Sequence, residues 1–124
     1  MNPKMKQALE TMIWYAKADR LGAVDGLRCV YRQGDKRCAI GCLFDDGVLD
    51  LLDARGLGRE VVDELYREFS NLGELLGLTR AQAGELQGYH DETNFGRPAQ
   101  RDAFIATLED IVAGIVTELE GVRF

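Results

Sequence analysis

The sequence is poor in residues on which common enzyme chemistries depend. Its 124 residues include one histidine, one tryptophan, two prolines and three cysteines, and Ser70 is the only serine. A serine–histidine–aspartate arrangement would have to use Ser70 and His90 together. A phosphate-binding loop is also missing, because Gly56-Leu57-Gly58 lacks the further glycine and the preceding strand. These absences favour a protein that is not an enzyme.

The chain also lacks a long apolar segment and a secretory signal. No apolar run approaches the roughly 20 residues that cross a bilayer, and the N-terminus has neither an h-region nor a small-residue cleavage site. Three cysteines cannot all pair within one chain, which fits a reducing compartment. We therefore expect a cytoplasmic protein without membrane contact. Its length, with 46% hydrophobic and 29% charged residues, predicts a single domain over residues 1–124.

The charge is negative overall and unevenly distributed. The formal net charge of -6 argues against nucleic acid as a direct ligand, since binding phosphates requires a basic surface. Residues 1–40 carry eight Lys and Arg against four Asp and Glu, whereas residues 41–124 carry seven against seventeen. This asymmetry indicates either an electrostatic face for a partner or attraction between the two halves within the fold.

Periodicity and capping signals predict an α+β fold that is mostly α, with four to five helices around one small β-hairpin. Asn2-Pro3 is a helix start, and Thr79 with Gln82 forms a capping box. The hairpin turn is predicted at residues 33–36. The helices are predicted at about 3–20, 45–54, 59–69 and 79–90, and from Pro98 through an apolar stripe that extends to Leu119.

The hairpin segment, residues 28–42, contains all three cysteines and the densest basic cluster. If Arg32 pairs with Arg37, strand alternation divides the hairpin into two faces. One face is apolar with two thiols, and the other carries three guanidinium groups. The predicted members are Cys29, Tyr31, Cys38 and Ile40 on the first face, and Arg28, Val30, Arg32, Arg37 and Ala39 on the second.

The cysteines admit three interpretations. They can fill core space, as free cysteine commonly does. Cys29, Cys38, Cys42 and His90 also form a Cys₃His set suited to zinc, although no Cys-x-x-Cys pair is present. A nucleophilic thiol would need His90 as its base. We do not expect Asp91 to orient that imidazole, because consecutive helical residues point about 100° apart.

Two stretches resemble a motif of small uncharacterised phage and bacterial proteins. The first is Cys29-x-Tyr31-Arg32 with Cys38-Ala39-Ile40-Gly41-Cys42-Leu43, and the second is Leu86-Gln87-Gly88-Tyr89-His90-Asp91. In those proteins the position of Cys42 is often alanine. The resemblance implies one structural unit of hairpin and helix, and it brings no established activity. Its members here are Cys29, Tyr31, Arg32, Cys38, Gly41, His90 and Asp91.

The missing catalytic arrangement, the uneven charge and the small size favour a non-enzymatic cytoplasmic protein that binds another protein. The resemblance implies a phage-type protein that binds and modulates a host protein, such as a bacterial defence system that it would inhibit. The expected contact surface is the basic cluster Arg28, Arg32, Lys36 and Arg37, with the acidic helices as the second choice. No cofactor is expected under this hypothesis. The alternatives are a small metal- or thiol-dependent enzyme centred on Cys29, Cys38 and His90, with zinc as its metal, and an acidic decoy for a nucleic-acid-binding groove.

Overall fold

The computed structural model of this chain describes residues 1–25 and 28–124, with the backbone but not the side chains of residues 25, 28 and 29. Its architecture is α+β and mostly α, as predicted. Helices and two-residue strands alternate in the following order: α1 (Pro3–Lys17), β1 (Val24–Asp25), β2 (Arg28–Cys29), β3 (Arg32–Gln33), β4 (Lys36–Arg37), a 3₁₀ turn (Gly41–Leu43), α2 (Asp46–Ala54), α3 (Val62–Glu68), α4 (Leu72–Leu76), α5 (Arg80–Glu92), α6 (Pro98–Val112), β5 (Glu118–Leu119) and β6 (Val122–Arg123).

The two helix starts predicted from capping signals are confirmed, whereas the helix predicted from residue 59 begins at Val62. The Asn2 side chain accepts a hydrogen bond from the Lys4 amide at 2.8 Å and caps α1, with Pro3 in the first turn. Thr79 and Gln82 form both bonds of a capping box at the start of α5. Each cap satisfies amide groups that have no partner within their helix.

The last helix ends earlier than its apolar stripe predicts. Helix α6 stops at Val112 because Gly114 adopts a left-handed conformation with φ +76°, and the Ile115 and Val116 amides donate back to the Asp110 carbonyl. The prediction of one helix through Leu119 is therefore wrong. The chain instead forms a further two-stranded ladder, in which β5 pairs with β6.

The connection between α3 and α5 contains a helix that the sequence did not predict. Helix α3 is confined to Val62–Glu68, Phe69 has extended backbone angles, and α4 follows over Leu72–Leu76. Gly77 ends α4 in a left-handed conformation, and a Cβ there would lie 2.6 Å from the Met5 amide nitrogen. Glycine thus allows the end of α4 to pack directly on α1.

One apolar core joins these elements. Helix α1 packs mainly against α6, and the fully buried side chains of these two helices include Leu9, Met12, Phe104 and Leu108. The hairpin is attached to the chain that follows α1, because the Arg37 amide donates to the Arg20 carbonyl at 2.8 Å. Within the described ranges, the helices are all too short or too polar to cross a membrane.

Candidate functional site

The hairpin has the predicted register, but its side chains do not divide into an apolar and a basic face. Arg32 pairs with Arg37 and Gln33 with Lys36, around a Gly34-Asp35 turn. Tyr31, Cys38 and Ile40 are buried, as expected for the first face. Val30, Arg37 and Ala39, which were assigned to the second face, are buried too.

The prediction of two faces is wrong because the β3–β4 ladder is too short. The β3–β4 strands hold two residues each, and a 3₁₀ turn begins at Gly41, so strict alternation does not reach residues 38–40. The Cys29 backbone pairs with Val24 in a separate ladder, so it does not extend the β3–β4 pairing. The side chains of Arg28 and Cys29 lie outside the described residues.

Arg37 is an interior residue and not part of an exposed basic surface. It is 7% exposed. Its Nη1 donates to the Gly34 and Lys36 carbonyls, each at 2.9 Å, and its Nη2 donates to Asp46 at 3.1 Å. These three bonds fix the guanidinium across the hairpin turn and join it to the start of α2.

The other described cations of the basic cluster are also engaged within the fold. Nη2 of Arg32 lies 2.8 Å from Asp50 and 2.6 Å from Asp53, and hydrogen bonding to these carboxylates raises its pKa. Lys36 donates to the Asp19 carbonyl at 2.6 Å. Part of the positive charge of the first 40 residues is thus neutralised within the fold, because hairpin arginines form ion pairs with carboxylates of α2.

The two described thiols are buried in the tight turn after the hairpin. The Gly41 amide donates to Cys38 Sγ at 3.2 Å, and Cys42 Sγ donates to the Ala39 carbonyl at 3.0 Å. Burial strongly raises the pKa of the Cys42 thiol, which disfavours the thiolate that nucleophilic chemistry and zinc binding require. Cys38 is fully buried.

His90 is the centre of a buried polar network on α5. Its Nε2 accepts a hydrogen bond from the Gly22 amide at 3.0 Å, so the proton of the neutral ring resides on Nδ1. Nδ1 lies 2.9 Å from Asp91 Oδ1 and donates to it. The expectation that Asp91 does not orient the imidazole is therefore wrong, because Asp91 Oδ1 lies within hydrogen-bond distance of Nδ1 although the two residues are consecutive.

Gln87 connects this network to the hairpin. Its Oε1 accepts from the Ile40 amide at 3.2 Å, and its Nε2 donates to Asp91 Oδ1 at 2.7 Å. Gln87 belongs to the Leu-Gln-x-x-His-Asp stretch of the sequence, but its role was not anticipated. Its spacing from His90 was the sequence signal for this role, because residues three apart on a helix lie on the same face.

Chemically, this Asp–His pair is a structural element. Nε2, the nitrogen that would accept a proton from a nucleophile, is occupied by a backbone amide, and the ring packs 5.0 Å from the Phe95 ring, centroid to centroid. Cys38, Cys42 and His90 are not brought together as a ligand set. Within the described part of the chain, no group of three or more His, Cys, Asp or Glu side chains is arranged to hold a metal ion.

A different surface feature lies on the other side of α2. An apolar groove with a volume of about 280 Å³ runs between α2 on one wall and α3 and α4 on the other. We call it the α2–α4 groove. It is lined by Leu43, Phe44, Asp45, Val48, Leu51, Leu52, Leu65, Phe69, Asn71, Leu72, Leu75 and Leu76.

The groove exists because α2 is apolar over more of its circumference than the core covers. Leu49 and Leu52 are buried in the core. Val48 and Leu51, one turn apart on the neighbouring edge of α2, remain 37% and 53% exposed. On the opposite wall, Leu75 of α4 is 62% exposed. Three large apolar side chains thus face solvent around one depression.

A second hollow adjoins the groove. It has a volume of about 250 Å³ and shares Leu43, Leu75 and Leu76 with the groove, while residues of α1 form its far side. Leu75 therefore stands between two neighbouring depressions. Its exposed side chain and both hollows form a continuous surface across α2, α4 and α1.

No protein-family model matches the chain, and comparisons with curated proteins and with solved structures give no significant match. Functional inference must therefore begin from the geometry of its own side chains.

Proposed function

We propose that this chain is a small cytoplasmic protein of phage type that binds and modulates a protein of the host bacterium. The observation that carries the proposal is the α2–α4 groove, with Val48, Leu51 and Leu75 exposed around it. Isolated apolar side chains on a surface need no explanation, but a grouped apolar depression is typical of a protein-binding site. Exposing these groups to water is unfavourable unless a partner covers them.

The positions of the reactive side chains favour binding over catalysis. His90, Cys38 and Cys42 are buried, and each makes a hydrogen bond within the protein. A substrate would have to displace those bonds before reaching them. The groove, in contrast, is open to a partner without rearrangement.

The contact surface proposed here differs from the first choice of the sequence analysis. Arg37 is buried, and Arg32 and Lys36 hold partners inside the fold. Using these cations for recognition would require breaking bonds that fix the hairpin. The second choice, the acidic helices, contains the groove and is the surface we propose.

The proposal is tested by affinity capture from bacterial lysate with three versions of the full chain. Wild type and Ile115→Glu should retain the same host protein, because Ile115 is 75% exposed and does not line the groove. The double variant Leu51→Glu, Leu75→Glu should lose it, because carboxylates replace the apolar contacts. Capture that is equal for all three versions would contradict the proposed surface.

Modulation of a defence system is tested separately in cells. A defended bacterial strain that expresses the chain should become sensitive to an infecting phage, and a strain expressing the double groove variant should remain resistant. Immunoblotting of both strains controls for the amount of folded protein. Plaque counts that are unaffected by the wild-type chain would restrict the proposal to another host target.

A further inference from the structure

The segment that forms both walls of the α2–α4 groove contains the excess negative charge of the protein. Residues 45–76 include nine Asp and Glu and three Arg, a balance of -6, which equals the net charge of the whole chain. Six of these nine carboxylates are in ion pairs, four of them with arginines outside the segment, and Asp45 is a carboxylate without such a pair among the described residues that lines the groove. An apolar surface with such a carboxylate attracts cations from a distance and binds apolar groups at contact.

Asp45 is available to a partner at the groove, whereas Glu74 lies beside the groove lining, where Lys4 Nζ donates to its backbone carbonyl at 3.1 Å. Asp46, Asp50 and Asp53 point to the hairpin, where they pair with Arg37 and Arg32. Asp45 lines the groove at the start of α2, and Glu74 directly precedes Leu75 on α4. Neither Asp45 nor Glu74 takes part in an ion pair among the described residues.

We infer that the α2–α4 groove binds an amphipathic helix of the partner protein, with apolar side chains on one face and Lys or Arg residues beside them. The inference rests on the proposed function and names the chemistry of its partner. Apolar residues of that helix would contact Val48, Leu51 and Leu75, and its flanking cations would lie near Asp45 and Glu74.

The composition of the walls favours a helix over an extended strand. The walls are built from side chains of α2, α3 and α4, and none of the described strands lines the groove. A peptide that adds to a sheet needs an unpaired strand edge, whereas a helix binds through side chains at i, i+3, i+4 and i+7.

The same charges argue against a second copy of this chain as the occupant. A symmetric contact of groove against groove would place Asp45 and Glu74 of one copy near the same carboxylates of the other. Like charges at a contact disfavour association. A basic helix in the groove avoids this repulsion, because its cations would lie near the carboxylates of Asp45 and Glu74.

The experiment uses the full chain and a designed 18-residue leucine–lysine peptide with helical leucine spacing, with binding measured by fluorescence anisotropy at low and moderate salt. Two control peptides have the same leucines with glutamate in place of lysine, or the same composition in scrambled order. The lysine peptide should bind at least about tenfold more tightly than either control, and salt should weaken its binding. Equal binding of the lysine and glutamate peptides, or of the scrambled peptide, would overturn the inference.

Variants of the protein assign the binding to the groove. Leu51→Glu with Leu75→Glu should abolish binding, and Ile115→Glu should leave it unchanged. Asp45→Asn, which preserves the helix cap, combined with Glu74→Gln should weaken binding about fivefold and reduce its salt dependence. Binding that is unaffected by the Leu51 and Leu75 changes, or dimers of wild type that these changes dissociate, would overturn the inference.

These outcomes are separable from those of lysate capture. Capture that depends on Leu51 and Leu75, without preference for the lysine peptide, would leave the proposed function intact and refute the chemistry of the partner. Lysine-peptide binding at the groove without a captured protein would refute the proposed function in the lysate tested and leave the helix-binding property of the groove.

Discussion

Nδ1 of His90 lies 2.9 Å from Oδ1 of Asp91, although the two residues are consecutive in a helix. Asp91 Oδ1 also accepts from Gln87 at 2.7 Å, and the opposite side of the imidazole accepts from Gly22. One histidine thus joins α5 to the loop after α1, while Gln87 joins α5 to the hairpin. Gln87 and His90 are buried, whereas Asp91 is exposed. Buried members of such a network stabilise the fold when each is bonded, and removing one of them is destabilising.

Replacing His90 should therefore affect folding. His90→Ala removes a buried ring and leaves the Gly22 amide without an acceptor, which should reduce the free energy of unfolding by about 3 kcal/mol. Urea denaturation followed by circular dichroism measures this change. Glu92→Gln, at an exposed position on the same helix, should change stability by less than about 0.5 kcal/mol. Equal effects of the two variants would show that the network does not stabilise the fold.

The turn after the hairpin depends on a glycine at position 41. A Cβ at Gly41 would lie 2.8 Å from the Tyr31 carbonyl carbon and 2.9 Å from its Cα, so the backbone would have to move apart. Gly41→Ala should reduce stability by about 3 kcal/mol. Gly88→Ala is the matched control, because a Cβ there meets nothing within 4 Å and the residue is within α5. That variant should raise stability by about 0.5–1 kcal/mol.

The buried thiols give a prediction about reactivity. In a Cys29→Ser variant, which leaves Cys38 and Cys42, a thiol reagent should react slowly in native buffer and rapidly in denaturant. The reason is burial of both groups and the raised pKa of Cys42. The absorbance change with Ellman's reagent, followed over time, measures the rates of thiol reaction. Free cysteine under the same conditions is the reference. Rapid native reaction would favour the thiol-dependent alternative instead.

The raised pKa of Tyr66 predicts that the folded protein loses stability at high pH. Partial burial raises its pKa to about 12 in the folded protein, against about 10 for an unperturbed tyrosine. Below pH 10 the phenol is neutral in both the folded and the unfolded state, and its full contribution to the free energy of unfolding is present. Between pH 10 and 12 the unfolded chain releases the proton first, so stability decreases as the pH rises.

Tyr66→Phe isolates this effect. Wild type should be about 1 kcal/mol more stable than the variant at pH 8, because the hydroxyl donates to the Leu78 carbonyl at 2.8 Å. The difference should narrow above pH 10, as measured by thermal or urea unfolding at each pH. Other titrating groups are common to both proteins and cancel in the comparison. A difference that stays constant through pH 11 would contradict the raised pKa.

The parts of the fold that sequence patterns predicted are those set by local chemistry. The Asn2 cap, the Thr79–Gln82 box and the Arg32–Arg37 register each depend on residues close in the chain. The end of α6 was missed although its signal was present. Gly114 lies within an apolar stripe, and hydrophobic periodicity was given more weight than the glycine that stops the helix.

The candidate site was less predictable, because it depends on contacts between distant residues. The burial of Arg37 follows from its bond to Asp46 and from the attachment of β4 to the chain after α1, and two-fold alternation cannot reveal either. The groove depends on the fact that α4, which was not predicted, stops short of covering Val48 and Leu51. The sequence shows that the groove residues are apolar, but it does not show that some of their side chains are exposed.

Arg37 provides the test that separates architecture from recognition in the basic cluster. Arg37→Met keeps an unbranched apolar stem but removes the guanidinium that donates to the Gly34 and Lys36 carbonyls. Asp46 is well exposed and can be solvated again, so the expected loss is that of the unpaired carbonyls, about 2 kcal/mol.

Lys36→Met is the matched control for this substitution, since Lys36 is partly exposed and its ion pair with Asp19 is near the surface. It should change the free energy of unfolding by less than about 0.5 kcal/mol in urea denaturation. If instead both variants unfold like wild type, Arg37 does not stabilise the hairpin, and a role in recognition would again explain its presence. If only Arg37→Met is destabilised, Arg37 serves the fold and its guanidinium is not free to act as part of a contact surface.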